Sequence, residues 1–338
     1  MRSFVHFLLA GAGVANAYTV VVAKRFMEKN VDPIVLPGEY TSHMHTFFGS
    51  DAVTANTTTS EELMSGCSTA ENPNDFSSYC QWPKHRLLPT CLIPGVHANV
   101  REGIPTLFIK NNDGSHSPVP ISRFSAYYVD INAAEVAIPQ NYRAVAGNAS
   151  ATSQDGVPEL AGQSWFCENG PDDPDKDAAA WPRKTCSTHL QTLLLFHDCV
   201  NEETLESDYS GTQHWTEDSR PENRCPAGMK RMPRLRFSIR YDLRKALPGG
   251  WDGEPPFELA CGSSYCFHGD FINGWHPEAA ENMLKADSKR DFAGVDGPLG
   301  GYGDGSACEG EAQDADPEHG TSDYAESKRI RDEAVPSI

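Results

Sequence analysis

Arg234-Leu235-Arg236-Phe237-Ser238-Ile239-Arg240-Tyr241 is the stretch whose reading decides the fold. Leu235, Phe237, Ile239 and Tyr241 alternate with Arg234, Arg236, Ser238 and Arg240. Successive side chains of an extended strand point to opposite faces, so this period of two predicts a strand with one buried face. Working outward, Leu190 to Cys199 is more continuously apolar and predicts a strand buried on both faces or central in a sheet. Tyr18 to Phe26, Thr106 to Lys110 and Phe124 to Ile131 are rich in β-branched and aromatic residues and also read as strands. One segment reads as helix, from Pro277 to about Phe292, with Pro277 in the first turn and Ala279, Ala280, Met283 and Leu284 forming an apolar face. The intervening chain holds long loops, among them the Pro/Asp-rich Pro171 to Asp177 and the glycine-rich Gly294 to Gly305. The expected architecture is mainly β, a β-sandwich or jelly-roll-like single domain over residues 18–302, with disulfide-stapled loops and one C-terminal helix.

The first residues suggest export. Met1-Arg2, an apolar run from Phe4 to Val14 and Ala15-Asn16-Ala17 read as a signal peptide over residues 1–17, with Tyr18 as the mature terminus. That run is too short to span a bilayer, and no later stretch approaches the ~20 apolar residues that a membrane helix needs. Ten cysteines, an even number, suit an oxidising compartment, and their spacing favours local pairs such as Cys167 with Cys186, Cys199 with Cys225 and Cys261 with Cys266. Asn56-Thr57-Thr58 and Asn148-Ala149-Ser150 are glycosylation acceptors, expected at the surface. The formal net charge of −19 gives nucleic acid no attraction. Part of that charge is local: from Asp304 onward ten acidic side chains face three basic ones, so residues 303–338 are expected to form a disordered, acidic tail.

Chemistry is concentrated in two short segments, His43-Met44-His45 and His268-Gly269-Asp270. Each can aim residues i and i+2 at a common point if extended. With His214 as a fifth group, His43, His45 and His268 form a candidate ligand set for Zn²⁺ or Cu²⁺, with Asp270 as a further ligand or as the acceptor orienting an imidazole. Two other readings stand beside this one: a metal-free centre in which a histidine is the general base and Asp270 tunes it, and a hydrogen-bonded structural cluster. A copper site built on an amino-terminal histidine is excluded if Tyr18 begins the mature chain. Arg234, Arg236 and Arg240 share one strand face and could bind carboxylates of an acidic polysaccharide, against the plainer reading of a solvated or ion-paired face. Tyr127, Tyr128, Trp82, Trp215 and Trp275 are candidate sugar platforms or core residues. His197, next to Asp198 on an apolar strand, reads as structural, since adjacent strand residues face opposite ways. No Gly-x-Ser-x-Gly, Walker, His-Glu-x-x-His or Cys-x-x-Cys motif is present.

Several segments occur together in an order that resembles a known family. They are Asp32-Pro33-Ile34-Val35 with Pro37-Gly38, Ser42-His43-Met44-His45-Thr46-Phe47-Phe48-Gly49, Asn56, Leu63 and Cys67. Pro118-Val119-Pro120, Tyr127-Tyr128, Cys199, His214, Cys225-Pro226, the Arg234 to Leu243 strand and His268 to Trp275 follow. Across roughly residues 31 to 280 the chain resembles the secreted domain of unknown function 1996 family. It departs from that family's pattern at Tyr79-Cys80-Gln81-Trp82 and at Val200-Asn201-Glu202-Glu203. The resemblance implies an extracellular protein in a carbohydrate context and supplies no mechanism. The resulting expectation is an extracellular carbohydrate-active enzyme, a hydrolase or lyase of a cell-wall or environmental polysaccharide, centred on His43, His45, His268 and Asp270. Arg234, Arg236, Arg240, Trp275 and Tyr128 are its candidate substrate contacts. The alternative is a non-catalytic glycan-binding wall protein with a structural histidine cluster.

Overall fold

Arg234–Tyr241 forms a strand with the bounds its alternation predicts, and Leu235, Phe237, Ile239 and Tyr241 are all buried. It is the middle strand of a five-stranded antiparallel sheet. Ile121–Val129 and then Thr19–Ala23 flank it on one side, Leu190–Leu195 and then Ser164–Cys167 on the other. The computed structural model describes residues 19–79, 104–211, 224–285, 295–301, 308 and 312–334. The 190–195 strand is internal to the sheet as expected, but only one face is fully buried: Leu190, Thr192 and Leu194 point in, while Gln191, Leu193 and Leu195 remain half-buried. Smaller antiparallel sheets complete a mainly β architecture with no closed barrel among the described residues.

The strand His268–Ile272 pairs with Arg143–Gly147 and lies over the buried face of the large sheet. Gly269 makes this approach possible, because a Cβ there would sit 2.8 Å from a methyl carbon of Leu194 and 3.0 Å from the ring of Phe237. Gly147, opposite His268 in the ladder, has φ +90°, and a Cβ there would lie 2.6 Å from the Phe267 carbonyl oxygen. With Gly269 turned toward the large sheet, the pleat sends His268, Asp270 and Ile272 to the opposite side. There Ile272 joins a second core with Met27, Val31, Phe47 and Leu63. The paired strands Arg25–Lys29 and His45–Phe48 contribute to that core, so the two histidine segments meet at the seam between the two cores.

Disulfides join Cys67 to Cys308, Cys167 to Cys186, Cys199 to Cys225 and Cys261 to Cys266; Cys80 and Cys91 lie outside the described residues. The expected C-terminal helix is Pro277–Met283, shorter than the run to about Phe292; Ala279, Ala280 and Met283 are buried as expected, while Leu284 caps the helix half-buried and residues 286–292 lie outside the described ones. No helix among the described residues is long and apolar enough to cross a membrane. Asn56 is exposed, whereas Asn148 is half-buried and its amide donates to the Gly156 carbonyl at 2.9 Å.

The acidic stretch expected to be disordered instead carries a helix, Tyr324–Ala334. Net charge concealed a face made by Tyr324, Lys328 and Arg331, which recur at helical spacing. Tyr324 stacks on Phe108 with ring centroids 4.0 Å apart, and its hydroxyl donates to Glu258 at 2.7 Å. Lys328 pairs with the same carboxylate at 3.1 Å, and Arg331 donates to the Ala260 carbonyl.

Candidate metal centre

His43, His45 and His268 are brought together with relative exposures of 2%, 0% and 0%. One ring nitrogen from each lies within 4.8 Å of the others. His45 enters from the first residue of its strand, and His43 from the chain two residues before it. Asp32 holds the approach to these residues: its carboxylate accepts from the amides of Ile34 and Val35 at 3.2 and 2.8 Å and from the Ser42 hydroxyl at 3.3 Å.

Backbone carbonyls decide the tautomers of two rings. His45 Nδ1–H donates to the Val31 carbonyl at 2.7 Å, and His268 Nδ1–H donates to the Cys266 carbonyl at 2.5 Å. A carbonyl can only accept, so both Nδ1 atoms carry the proton and both Nε2 atoms carry a lone pair when the rings are neutral. Burial keeps them neutral. It pushes His45 down to about 3, against the Val31 hydrogen bond and assisted by His268, and pushes His268 down to about 4, against the Cys266 bond. His45 Nε2 lies 2.8 Å from His43 Nε2, while His268 Nε2 has no hydrogen-bond partner among the described residues.

These donors fit a metal. Three convergent imidazoles, two of them neutral with their far nitrogens held by carbonyls, are the ligand type and outer support that Zn²⁺ and Cu²⁺ use. Tetrahedral Zn–N distances of ~2.0–2.1 Å place ligand nitrogens about 3.3 Å apart, so the His43–His45 contact needs to open by only about half an ångström.

Asp270 is also wholly buried and shares the strand face of His268, but it is not a member of the three-residue ligand group. Spacing alone does not decide membership, since His43 and His45 are also two residues apart and bring their Nε2 atoms within 2.8 Å of each other. His214, Trp82 and Trp215 fall outside the described residues. Val31 and Cys266 were missed as contributors because they act through main-chain oxygens, which no residue type announces. Gly269 between His268 and Asp270 was the available signal for close backbone approach.

The expected substrate contacts need correction. Tyr128 and Trp275 are both fully buried, and Trp275 Nε1 donates to the Tyr128 hydroxyl at 2.9 Å, so neither presents a face to a sugar. The arginine row is engaged within the protein. Arg236 lies over the Tyr127 ring at 4.2 Å, Arg240 pairs with Glu168 at 2.6 Å, and Arg234 approaches Asp198 at 3.7 Å. Asp198 is held further by Arg231 at 2.8 Å and by the Ser210 hydroxyl at 2.8 Å. His197 bonds the Ser207 hydroxyl through Nδ1 at 2.9 Å and meets the Tyr209 ring edge-on.

Fold and centre together define a mainly β, disulfide-stapled protein with a buried three-imidazole cluster. Residues 32–83 and 103–275 match the family described as Domain of unknown function (DUF1996), and the chain belongs to that family. No curated protein and no solved structure matches the chain. The matched segments contain all three histidines and Asp270.

Proposed function

We propose that the protein is an exported, metal-dependent enzyme acting on a polysaccharide, with His43, His45 and His268 as ligands of a divalent zinc or copper ion. The observation that carries this reading is the convergence of three imidazole nitrogens, two of them fixed by carbonyls as lone-pair donors. Three protein nitrogens and one remaining position form the ligand pattern of catalytic zinc. A metal held there supplies Lewis acidity or an activated water. The residues themselves hold the His45 and His268 imidazoles in one tautomer and exclude bulk water, and Asp270 adds a buried carboxylate on the His268 strand face.

Export is supported by the signal-like first residues and by four disulfides. The carbohydrate substrate rests on the family resemblance. The internal partners of Arg234, Arg236 and Arg240 favour neutral over acidic chains, because those cations are already engaged. The test is turnover of neutral and acidic polysaccharides by untagged protein before and after chelation. The expected result is activity that is lost on chelation, restored by one of Zn²⁺ or Cu²⁺, and absent in His268→Ala. Turnover indifferent to chelation contradicts the proposal.

A second reading, a glycan-binding wall protein braced by its histidines, is favoured by the complete enclosure of the cluster. Glycan binding that survives simultaneous replacement of His43, His45 and His268, in protein without metal, would select it.

A further inference from the structure

The C-terminal acidic segment touches the chain that carries the histidines at an unusual set of places. Lys29, opposite His45 in the strand ladder, donates to the His319 carbonyl at 2.7 Å and pairs with Asp314 at 3.0 Å. Asn30 is next to Val31, whose carbonyl orients His45. Its amide donates to the Thr321 carbonyl at 3.3 Å, and its side-chain oxygen accepts from the Thr321 amide at 2.7 Å. Tyr40, three residues before His43, donates to Asp316 at 2.6 Å. Met44, between the two ligands, shares a buried cluster with Phe108, Ala260 and Tyr324.

Met44 packs with Phe108, Ala260 and Tyr324, while His43 and His45 on either side of it converge on His268. The segment therefore grips the ligand arm from behind and reaches none of the imidazoles by these contacts. Cys308, bonded to Cys67, tethers the chain just before it.

From these contacts we infer that residues 312–334 are a positioning arm for the histidine centre: docking of Tyr324 and the 314–321 turn sets the place of His43 and His45, and hence metal affinity. The inference rests on the metal reading above. Because linkage is reciprocal, a metal that prefers the docked arrangement must also stabilise the docked arm.

The test uses the full chain and Co²⁺, whose visible absorption reports its ligand geometry. Tyr324→Ala removes the stack on Phe108, Tyr324→Phe keeps the ring and removes only the hydroxyl bond to Glu258, and Arg329→Gln alters a residue paired within its own helix. Loss of outer support costs about 10–100-fold in metal affinity, so Tyr324→Ala is expected to bind Co²⁺ that much more weakly and with an altered spectrum. Tyr324→Phe is expected to recover most of the affinity, and Arg329→Gln to match wild type. In wild-type protein, Co²⁺ is expected to slow amide exchange across 312–334. Wild-type affinity and spectrum in a folded Tyr324→Ala variant overturn the inference. If that variant fails to fold, unchanged exchange across 312–334 on adding Co²⁺ to wild type overturns it instead. Wild-type protein that takes up no Co²⁺ overturns the metal reading itself, a separate outcome from equal binding by wild type and Tyr324→Ala.

Discussion

Two of the buried polar clusters among the described residues are built on opposite plans. In one, Trp275 Nε1–H donates to the Tyr128 hydroxyl, which lies 3.3 Å from that of Tyr79; Tyr79 donates to Asp75 at 2.5 Å, and the Ser77 amide donates to the same carboxylate at 3.0 Å. Donors run in series into an acceptor, and the network closes on itself. In the other, His45 and His268 spend their only N–H groups outward on carbonyls and turn their lone pairs inward. A buried polar group left without a partner costs free energy, so the closed network is complete as it stands, whereas the open one is suited to a cation. Burial is common to both clusters, and the direction of the protons tells them apart.

The sharpest break between the two is metal content. His45→Ala and His268→Ala are each expected to take bound metal from about one ion per chain to nearly none, as one of three protein ligands disappears. Replacement of Tyr79 or Asp75 is expected to leave it unchanged, which elemental analysis checks.

Next in size is a pH effect confined to the closed network. Burial raises Asp75 from 3.8 to about 6, despite the bonds from Tyr79 and Ser77. The folded state therefore holds this proton more tightly than the unfolded one. Its stabilising contribution is complete below pH 3.8 and is lost as pH rises through 6. Asp75→Asn does not titrate, so denaturant melts should show the variant gaining on wild type by roughly 1.4 kcal/mol per pH unit across that window. A constant gap would separate Asp75 from the pH dependence.

Tyr79→Phe removes one donor and leaves the carboxylate short of a partner, with an expected cost of about 1–2 kcal/mol in the same melts and no change in metal. The smallest effect is expected from Arg236→Gln, where the contact with Tyr127 is partly exposed: about 0.5 kcal/mol, again without loss of metal. Loss of metal in either variant would erase the distinction between the regions.

The frame was largely legible in the sequence because strand alternation is local. The 234–241 strand needed only its own residues, and the i, i+2 spacing of His43 with His45 identified side chains that do converge. Asp270 obeyed the same spacing on a strand yet fell outside the group, since spacing along one strand says nothing about which member meets a partner strand. Tyr128 and Trp275 were legible as aromatics, but their destination is fixed by long-range hydrogen bonds with Tyr79 and Asp75. The helix Tyr324–Ala334 was concealed because a mean over acidic residues hides one aromatic anchor and two cations on a single face.

The most direct test is the metal content of untagged protein handled without chelators, compared with a His43→Ala/His45→Ala variant. Zinc or copper near one equivalent is expected in the wild type and almost none in the folded variant. Metal-free wild-type protein that also fails to take up Zn²⁺ or Cu²⁺ on titration would contradict the metal reading.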